Sequence, residues 1–404
     1  MSFKIALSGI DAASTDLNTI SNNIANANST GFKQSRAEFG DFFQNSAYSL
    51  QSNATGGGVH TQTIAQQFTQ GAITNTSNPL DLAISGEGFF TLKDNGATVY
   101  SRNGAFTTDS NGYVVSPSGQ RLQVFPSLGS GNFSTGTLTD LQLSTAVNPP
   151  SATTTIGAAV NLPANATAPA TATFSPTDTS SYNQTTAVTV YDSLGAAHTA
   201  SLYYVAGASA GNWTVHTVVD GSEVGTGTAM SFDSSGKPTA PVGGKIPLAF
   251  TPSDGAAAVA ASIDISGATQ YGNTFAVNSL TQNGYATGQL SGISISGPGV
   301  VSATYSNGQT SVLGQVAMAN FANPQGLQQL GNATWAQTFA SGSPTPGAAG
   351  SSSLGTLQSG ALESSNVDLT AQLVDMMNAQ RNYQANSQVI STDSQLMQTI
   401  LHLQ

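Results

Sequence analysis

"FKIALSGIDAASTDLNTISNNIANANSTGFK", residues 3–33, decides how this chain is read. Phe3, Ile10, Leu17 and Ile24 recur every seven residues. Ala6, Ala13, Ile20 and Ala27 recur beside them, and Leu7 lies between the two rows. Apolar residues at period seven mark a helix that packs lengthwise on other helices. Residues 2–27 are therefore expected to form one helix, roughly 40 Å long at about 1.5 Å per residue. The end is crowded with Asn22, Asn23, Asn26 and Asn28. Asn is a poor helix former that favours caps and turns. Gly31 suits the left-handed position after the helix, and Phe32 follows as an apolar anchor for what comes next.

The other end repeats the pattern. Leu369, Met376, Tyr383, Ile390 and Met397 hold one column, and Val389, Leu396 and Leu403 a second. Leu373 joins the apolar set. A helix over 367–403 is expected, roughly 55 Å long. Ser364, Ser365 and Asn366 read as its cap, with Asp368 in the first turn near the positive end of the dipole. Much of its remaining face is Gln, Asn, Ser and Thr, so that face either packs or lines a polar channel.

Between the helices the signals are β. Short strands alternate with turns over 71–146, where Asn95-Gly96, Asn103-Gly104 and Asn111-Gly112 are hairpin pairs. Residues 28–70 read as a connector, and 147–170, rich in Pro, Ala and Thr, as a boundary. Further β segments run to 285, and strands return over 286–362. Domain termini usually lie near each other. The expected fold is α+β. Residues 1–27 and 366–404 make a coiled-coil-like helical inner domain. Residues 71–146 and 286–362 make a β-rich middle domain, and 147–285 a β-rich outer domain nested within it.

Composition narrows the function. Of 404 residues only 7% are charged, against roughly 25% in typical soluble proteins. A polar, nearly uncharged surface has a small desolvation penalty when it meets a copy of itself. Nine basic residues against a net charge of −11 leave no basic patch for nucleic acid. There is no Cys, which excludes disulfides, thiolates and Cys-ligated metals. No run of 18 apolar residues exists, and the first residues lack a signal-peptide pattern.

Chemistry finds little purchase. His60, His198, His216 and His402 have no ligand spacing, although a hairpin between them could set His198 and His216 face to face. "GASAG" at 207–211 fits Gly-x-Ser-x-Gly, but a strand follows it where the nucleophile elbow needs a helix. "GEGFF" at 86–90 lacks the helix and Lys of a phosphate loop. No enzyme, cofactor, metal or small-molecule substrate is indicated.

Three segments carry a resemblance. The N-terminal stretch "ALSGIDAASTDLNTISNNIANANSTGFKQSRAEF", the middle "LDLAISGEGFFTL" with "YSRNGAFTTDSNGYVVSPSGQRLQ", and "GALESSNVDLTAQLVDMMNAQRNYQANSQVISTDSQLMQTI" resemble the signatures of the bacterial flagellar rod and hook proteins, in family order. Chain length, the inserted β segment, "VTVYDSLGAAH" and "LGQVAMANFANPQGL" are closer to the hook members than to the shorter distal rod members. The resemblance implies a structural subunit that polymerises with copies of itself into a curved hollow tube outside the cell. That tube is a universal joint carrying torque from rod to filament. Its implied partners are the rod, the hook cap, the hook–filament junction proteins and the flagellar type III export apparatus. The implied inter-subunit contacts are the apolar helix positions above. Asn22, Asn23 and Asn26 are then neutral donors and acceptors for neighbouring subunits. A distal rod protein and a Ser/Thr-rich secreted β adhesin are the alternatives.

Overall fold

The computed structural model describes residues 2–42, 56–129, 131–143, 147–351 and 353–402. Residues 43–55 of the expected connector, 144–146 at the end of the expected 71–146 β stretch, and Leu403 of the expected second helix lie outside these. Two compact units form. One comprises Met1–Ser144, Gly292–Thr304 and Thr310–Gln404, and the other Thr145–Ser291 with Tyr305–Gln309.

The first unit holds both helices, α1 (Ser2–Ala25) and α2 (Leu369–His402). At about 1.5 Å per residue they span roughly 36 and 51 Å. They pack on each other. The approach is close: a Cβ on Gly9 would sit 2.6 Å from Asn386 Oδ1. α1 ends two residues earlier than its apolar pattern because the Asn cluster closes the turn. The Asn26 N–H is shared between the Asn22 and Asn23 carbonyls at 3.1 Å each, and the Ala27 N–H turns onto Ile24 O. Gly31 is left-handed, φ +69°, but does not cap α1; its N–H donates to Glu363 O across the fold. The cap of α2 also differs from expectation. Asp368 Oδ1 accepts the N–H groups of Thr370 (2.8 Å) and Ala371 (3.2 Å), so Asp368 is the N-cap itself. Asn366 is occupied elsewhere.

The connector contains more structure than its Gln- and Ser-rich composition suggests. Strands Ser35–Asp41 and Val59–Gln66 pair antiparallel into a hairpin that lies against α1. The strand signal is weak because few of its residues are buried; Ala37 is, and Phe39 and Ile64 are exposed.

The remainder of the first unit is a twisted antiparallel assembly. Strand Phe89–Asp94 pairs with Ala97–Ser101 on one side and Arg121–Gly129 on the other, and Thr310–Asn320 adds to it. Its core is Leu82, Ile84, Phe90, Leu92, Phe106, Leu122, Val124, Val316 and Met318. Asn95 (φ +48°) and Gly96 (φ +95°) make the tight hairpin turn the sequence signals. Asn103-Gly104 does not: Leu82 N–H donates to Gly104 O, and the glycine permits that backbone approach. Two short antiparallel pairs, Ile73–Asn75 with Ala361–Glu363 and Leu82–Ser85 with Thr356–Ser359, return the chain to its beginning and launch α2.

The second unit is a β-sandwich. A six-stranded sheet runs from Gln184–Tyr191 through Ala197–Ala206, Asn212–Val219 and Thr228–Phe232 to Pro238–Ala240. A five-stranded sheet is built around Thr155–Pro163. Both contribute to one core that includes Ile156, Val160, Leu162, Leu202, Tyr204, Trp213, Met230, Leu248 and Ile263. Residues 147–170, expected as a boundary, thus contain a central strand. Its period-two burial at Ile156, Ala158, Val160 and Leu162 is the signal that the Pro/Ala/Thr composition masks. Gly207–Gly211 is the hairpin loop expected before a strand. The register sets His216 opposite Tyr203, so it does not face His198.

Candidate functional site

On α1, Ala6, Ala13, Ile20, Thr19 and Asn23 are buried within the chain, whereas Phe3, Ile5 and Leu7 are exposed. Ile10, Leu17 and Ile24 are half-buried. On α2 the shielded stripe is Gln372, Met376, Ala379, Asn386, Ile390 and Asp393, at steps of four, three and seven. The apolar column read from the sequence supplies only two of these six, Met376 and Ile390. The other four are small or polar, which suits the close approach at Gly9. Leu369, Leu373, Val374, Met377, Tyr383, Val389, Leu396 and Met397 remain exposed. Both helices therefore bury one stripe inside the chain and present large apolar side chains outward. Ile20, expected among the inter-subunit contacts, is spent within the chain because it faces the seam.

The end of α1 is a junction built from side-chain amides. Asn23 is buried. Its Nδ2 donates to Ser35 O (2.7 Å) and Gln372 Oε1 (2.9 Å), and its Oδ1 accepts Ser35 N–H (2.9 Å). One amide thus ties α1, the hairpin and α2 together, and its polar groups are unavailable to a neighbouring subunit. This corrects the reading of Asn23. Asn26 Nδ2 donates to Asn22 O, a local closure, and Asn28 is exposed. Asn366 repeats the amide device from the other side: its Oδ1 accepts Gln34 N–H, and its Nδ2 donates to Gln67 O and Thr69 O.

Beneath Phe32, which is buried, lies a buried ion cluster. Lys33 Nζ donates to Glu363 Oε1 and Thr69 O, each at 2.7 Å. Arg102 Nη1 lies 3.3 Å from Glu363 Oε2, and its Nη2 donates to Gly86 O. Gly71 N–H also donates to Glu363 Oε1. The Lys33 and Glu363 side chains are fully shielded. Burial pulls the Lys33 ammonium below its usual range; Glu363 opposes the shift and Arg102 adds to it. Burial likewise lowers Arg102, opposed by Glu363. Gly31 fits over this cluster, because a Cβ there would lie 2.6 Å from the Arg102 carbonyl carbon and the Asn103 nitrogen. Lys33 and Glu363 are 330 residues apart, so spacing holds no trace of the pair.

A polar cavity of about 410 Å³ opens beside the seam, lined by Asp16, Asn23, Arg36, Gln372 and Asp375 among others. Burial, and then the Asp375 carboxylate, push the Asp16 carboxyl above its usual range. Nothing in the cavity pairs a nucleophile with a base.

Four families cover most of the chain. Residues 3–33 match flagella basal body rod protein, and 83–172 match the flagellar hook protein FlgE/F/G D1 domain. Residues 161–285 match the flagellar basal body protein FlaE D2 domain, and 358–403 the flagellar basal body rod FlgEFG protein C-terminal. These matches define the class as that of the flagellar rod and hook proteins. The chain is 40% identical over 420 residues to the flagellar hook protein FlgE of Salmonella typhimurium, covering 100% of both chains. It is 40% identical over 414 residues to that of Escherichia coli, again covering 100% of each. The chain belongs to the flagellar hook protein family. Among solved structures, the crystal structure of Helicobacter pylori flagellar hook protein FlgE2 aligns with a TM-score of 0.52 at 14% identity. It covers 70% of this chain and 99% of that one, a likeness of fold.

Proposed function

We propose that this chain is the structural subunit of a flagellar hook. Copies polymerise into a curved hollow tube outside the cell that transmits torque from rod to filament while bending. The observation that carries this reading is the two-sided character of α1 and α2. Each already buries a stripe within its own chain and still exposes large apolar residues, Phe3, Leu7, Leu373 and Met397 among them. Exposed apolar surface of that extent on a helix pair calls for a partner. A second copy supplies the same small, polar and apolar faces.

In this reading the helices form a coiled-coil-like inner tube, and the β units form nested layers around it. Phe3, Leu7, Ile10, Leu17, Ile24, Leu369, Leu373, Met376, Tyr383, Ile390 and Met397 contribute to packing between subunits. Asn22, Asn26, Asn28, Gly31 and Phe32 lie at the junction. The outer surfaces, poor in charge, slide as the tube bends because few ion pairs must break. The rod, cap, hook–filament junction proteins and flagellar export apparatus are its partners, and the role is mechanical, without catalysis.

The test is the double substitution Leu373→Asp/Val374→Asp. Both side chains are exposed in the single chain, so its fold should persist. Polymerisation of purified protein is followed by electron microscopy. Tubes indistinguishable from those of the unsubstituted chain would reject the assignment of this face.

A further inference from the structure

Among the described residues, one group of metal-ligating side chains converges: Asp192, His198 and Asp254, all in the second unit. One ligand atom from each lies within 4.8 Å of the others. Donors around an ion bound at about 2.1 Å stand roughly 3 to 4 Å apart, so small side-chain adjustments close this set.

Each member is held. Asp192 is fully buried in the turn between strands Gln184–Tyr191 and Ala197–Ala206. Its Oδ1 accepts the N–H groups of Leu194 and Ala196 at 2.9 Å each, which aims Oδ2 at His198 Nε2, 3.3 Å away. Asp220 Oδ2 lies 2.7 Å from His198 Nδ1, and its other oxygen accepts Thr199 N–H. That fixes the ring with Nδ1 toward a carboxylate and Nε2 toward the cluster, the arrangement by which a second carboxylate orients a metal-bound imidazole. The edge of Phe250 packs on the ring at 5.2 Å. Asp254 arrives from the five-stranded sheet, on the segment between Lys245–Phe250 and Val259–Asp264. Its Oδ1 accepts Ala256 N–H, and Ala257 N–H donates to Ser193 Oγ, which docks the segment beside the Asp192 turn.

Three carboxylates thus surround one imidazole. A single imidazolium balances one of them, and Asp220 already shares it. A dication placed among Nε2 and the two remaining carboxylates neutralises those two, while the neutral ring keeps its Nδ1–H toward Asp220. One imidazole nitrogen with carboxylate oxygens suits a borderline ion of the zinc type rather than calcium or magnesium. We propose that Asp192, His198 and Asp254 bind a zinc-type divalent ion that staples the two sheets of the sandwich, with Asp220 as the positioning residue.

The experiment is a zinc titration of the full chain by calorimetry, paired with thermal unfolding read from Trp213 fluorescence in a Trp335→Phe background. One saturable site and a raised midpoint for the second unit are expected. Asp254 is exposed, so Asp254→Asn should fold normally yet bind at least tenfold more weakly and lose the shift. Asp220→Asn should weaken binding about 10- to 100-fold. His216→Gln, which removes a histidine that pairs with Glu223 and stacks on Phe174, should leave the zinc affinity and the zinc-induced shift unchanged. Absence of a saturable site, or zinc affinity in Asp254→Asn within tenfold of the unsubstituted chain, overturns the proposal.

Discussion

Replacing Glu363 with Gln tests the ion cluster that joins the start, middle and end of the first unit. The substitution keeps the shape and removes the only carboxylate, among the described residues, within hydrogen-bonding reach of Lys33 and Arg102. Two cations then sit in a shielded site, with Glu87 acting on Arg102 from a solvent-exposed position. The new amide also turns an N–H₂ toward one of them. Breaking a buried pair by removing one partner costs about 3–5 kcal/mol. At about 1.4 kcal/mol per decade, the unfolding constant rises by roughly two to three and a half powers of ten. With a urea dependence of about 3 kcal/mol/M, the midpoint falls by roughly 1 to 1.7 M.

Lys33→Met is the control. It leaves Glu363 paired with Arg102 and with Gly71 N–H, and so removes bonds without stranding a net charge. Its cost should stay near 1–2 kcal/mol. The assay is urea unfolding followed by Trp335, buried in the first unit, in a Trp213→Phe background that silences the second unit's tryptophan. If Glu363→Gln costs no more than Lys33→Met, the charge balance does not govern this site and the reasoning fails.

Gly31→Ala should destabilise the first unit by more than about 1 kcal/mol in the same assay, since a Cβ there meets backbone atoms of Arg102 and Asn103 and φ is +69°. Asn23→Ala strands the backbone groups of Ser35. It should cost about 1–3 kcal/mol and speed amide exchange along Ser35–Asp41 while leaving the sandwich unchanged. Asp16 makes the helix seam depend on pH. Its folded pKa lies above the unfolded value, so ionisation works against the fold at neutral pH. Stability rises as pH falls through the folded pKa, and the gain is complete below the unfolded value near 3.8. Asp16→Asn should flatten that dependence in urea midpoints measured from pH 7 to pH 4; an unaltered slope would assign it to other groups.

The sequence by itself determined the terminal helices, the β character between them, the Asn95-Gly96 turn and the family. These rest on short-range signals: period seven, period two, turn chemistry and signature runs of residues. It also located the junction, since the Asn cluster and Gly-Phe-Lys stand out from any ordinary helix end. The tertiary structure alone decided what the junction is made of. Glu363 reaches Lys33 because strand Ala361–Glu363 pairs with Ile73–Asn75, a contact set by topology across nearly the whole chain. Likewise, which stripe of α1 is buried was decided by the approach of α2 at Gly9, not by which column is most apolar. His198 gains its carboxylates only when hairpin register and a loop from the second sheet bring them to one ring. Periodicity reports the face a residue occupies, and only the packing of elements distant in sequence decides what that face meets.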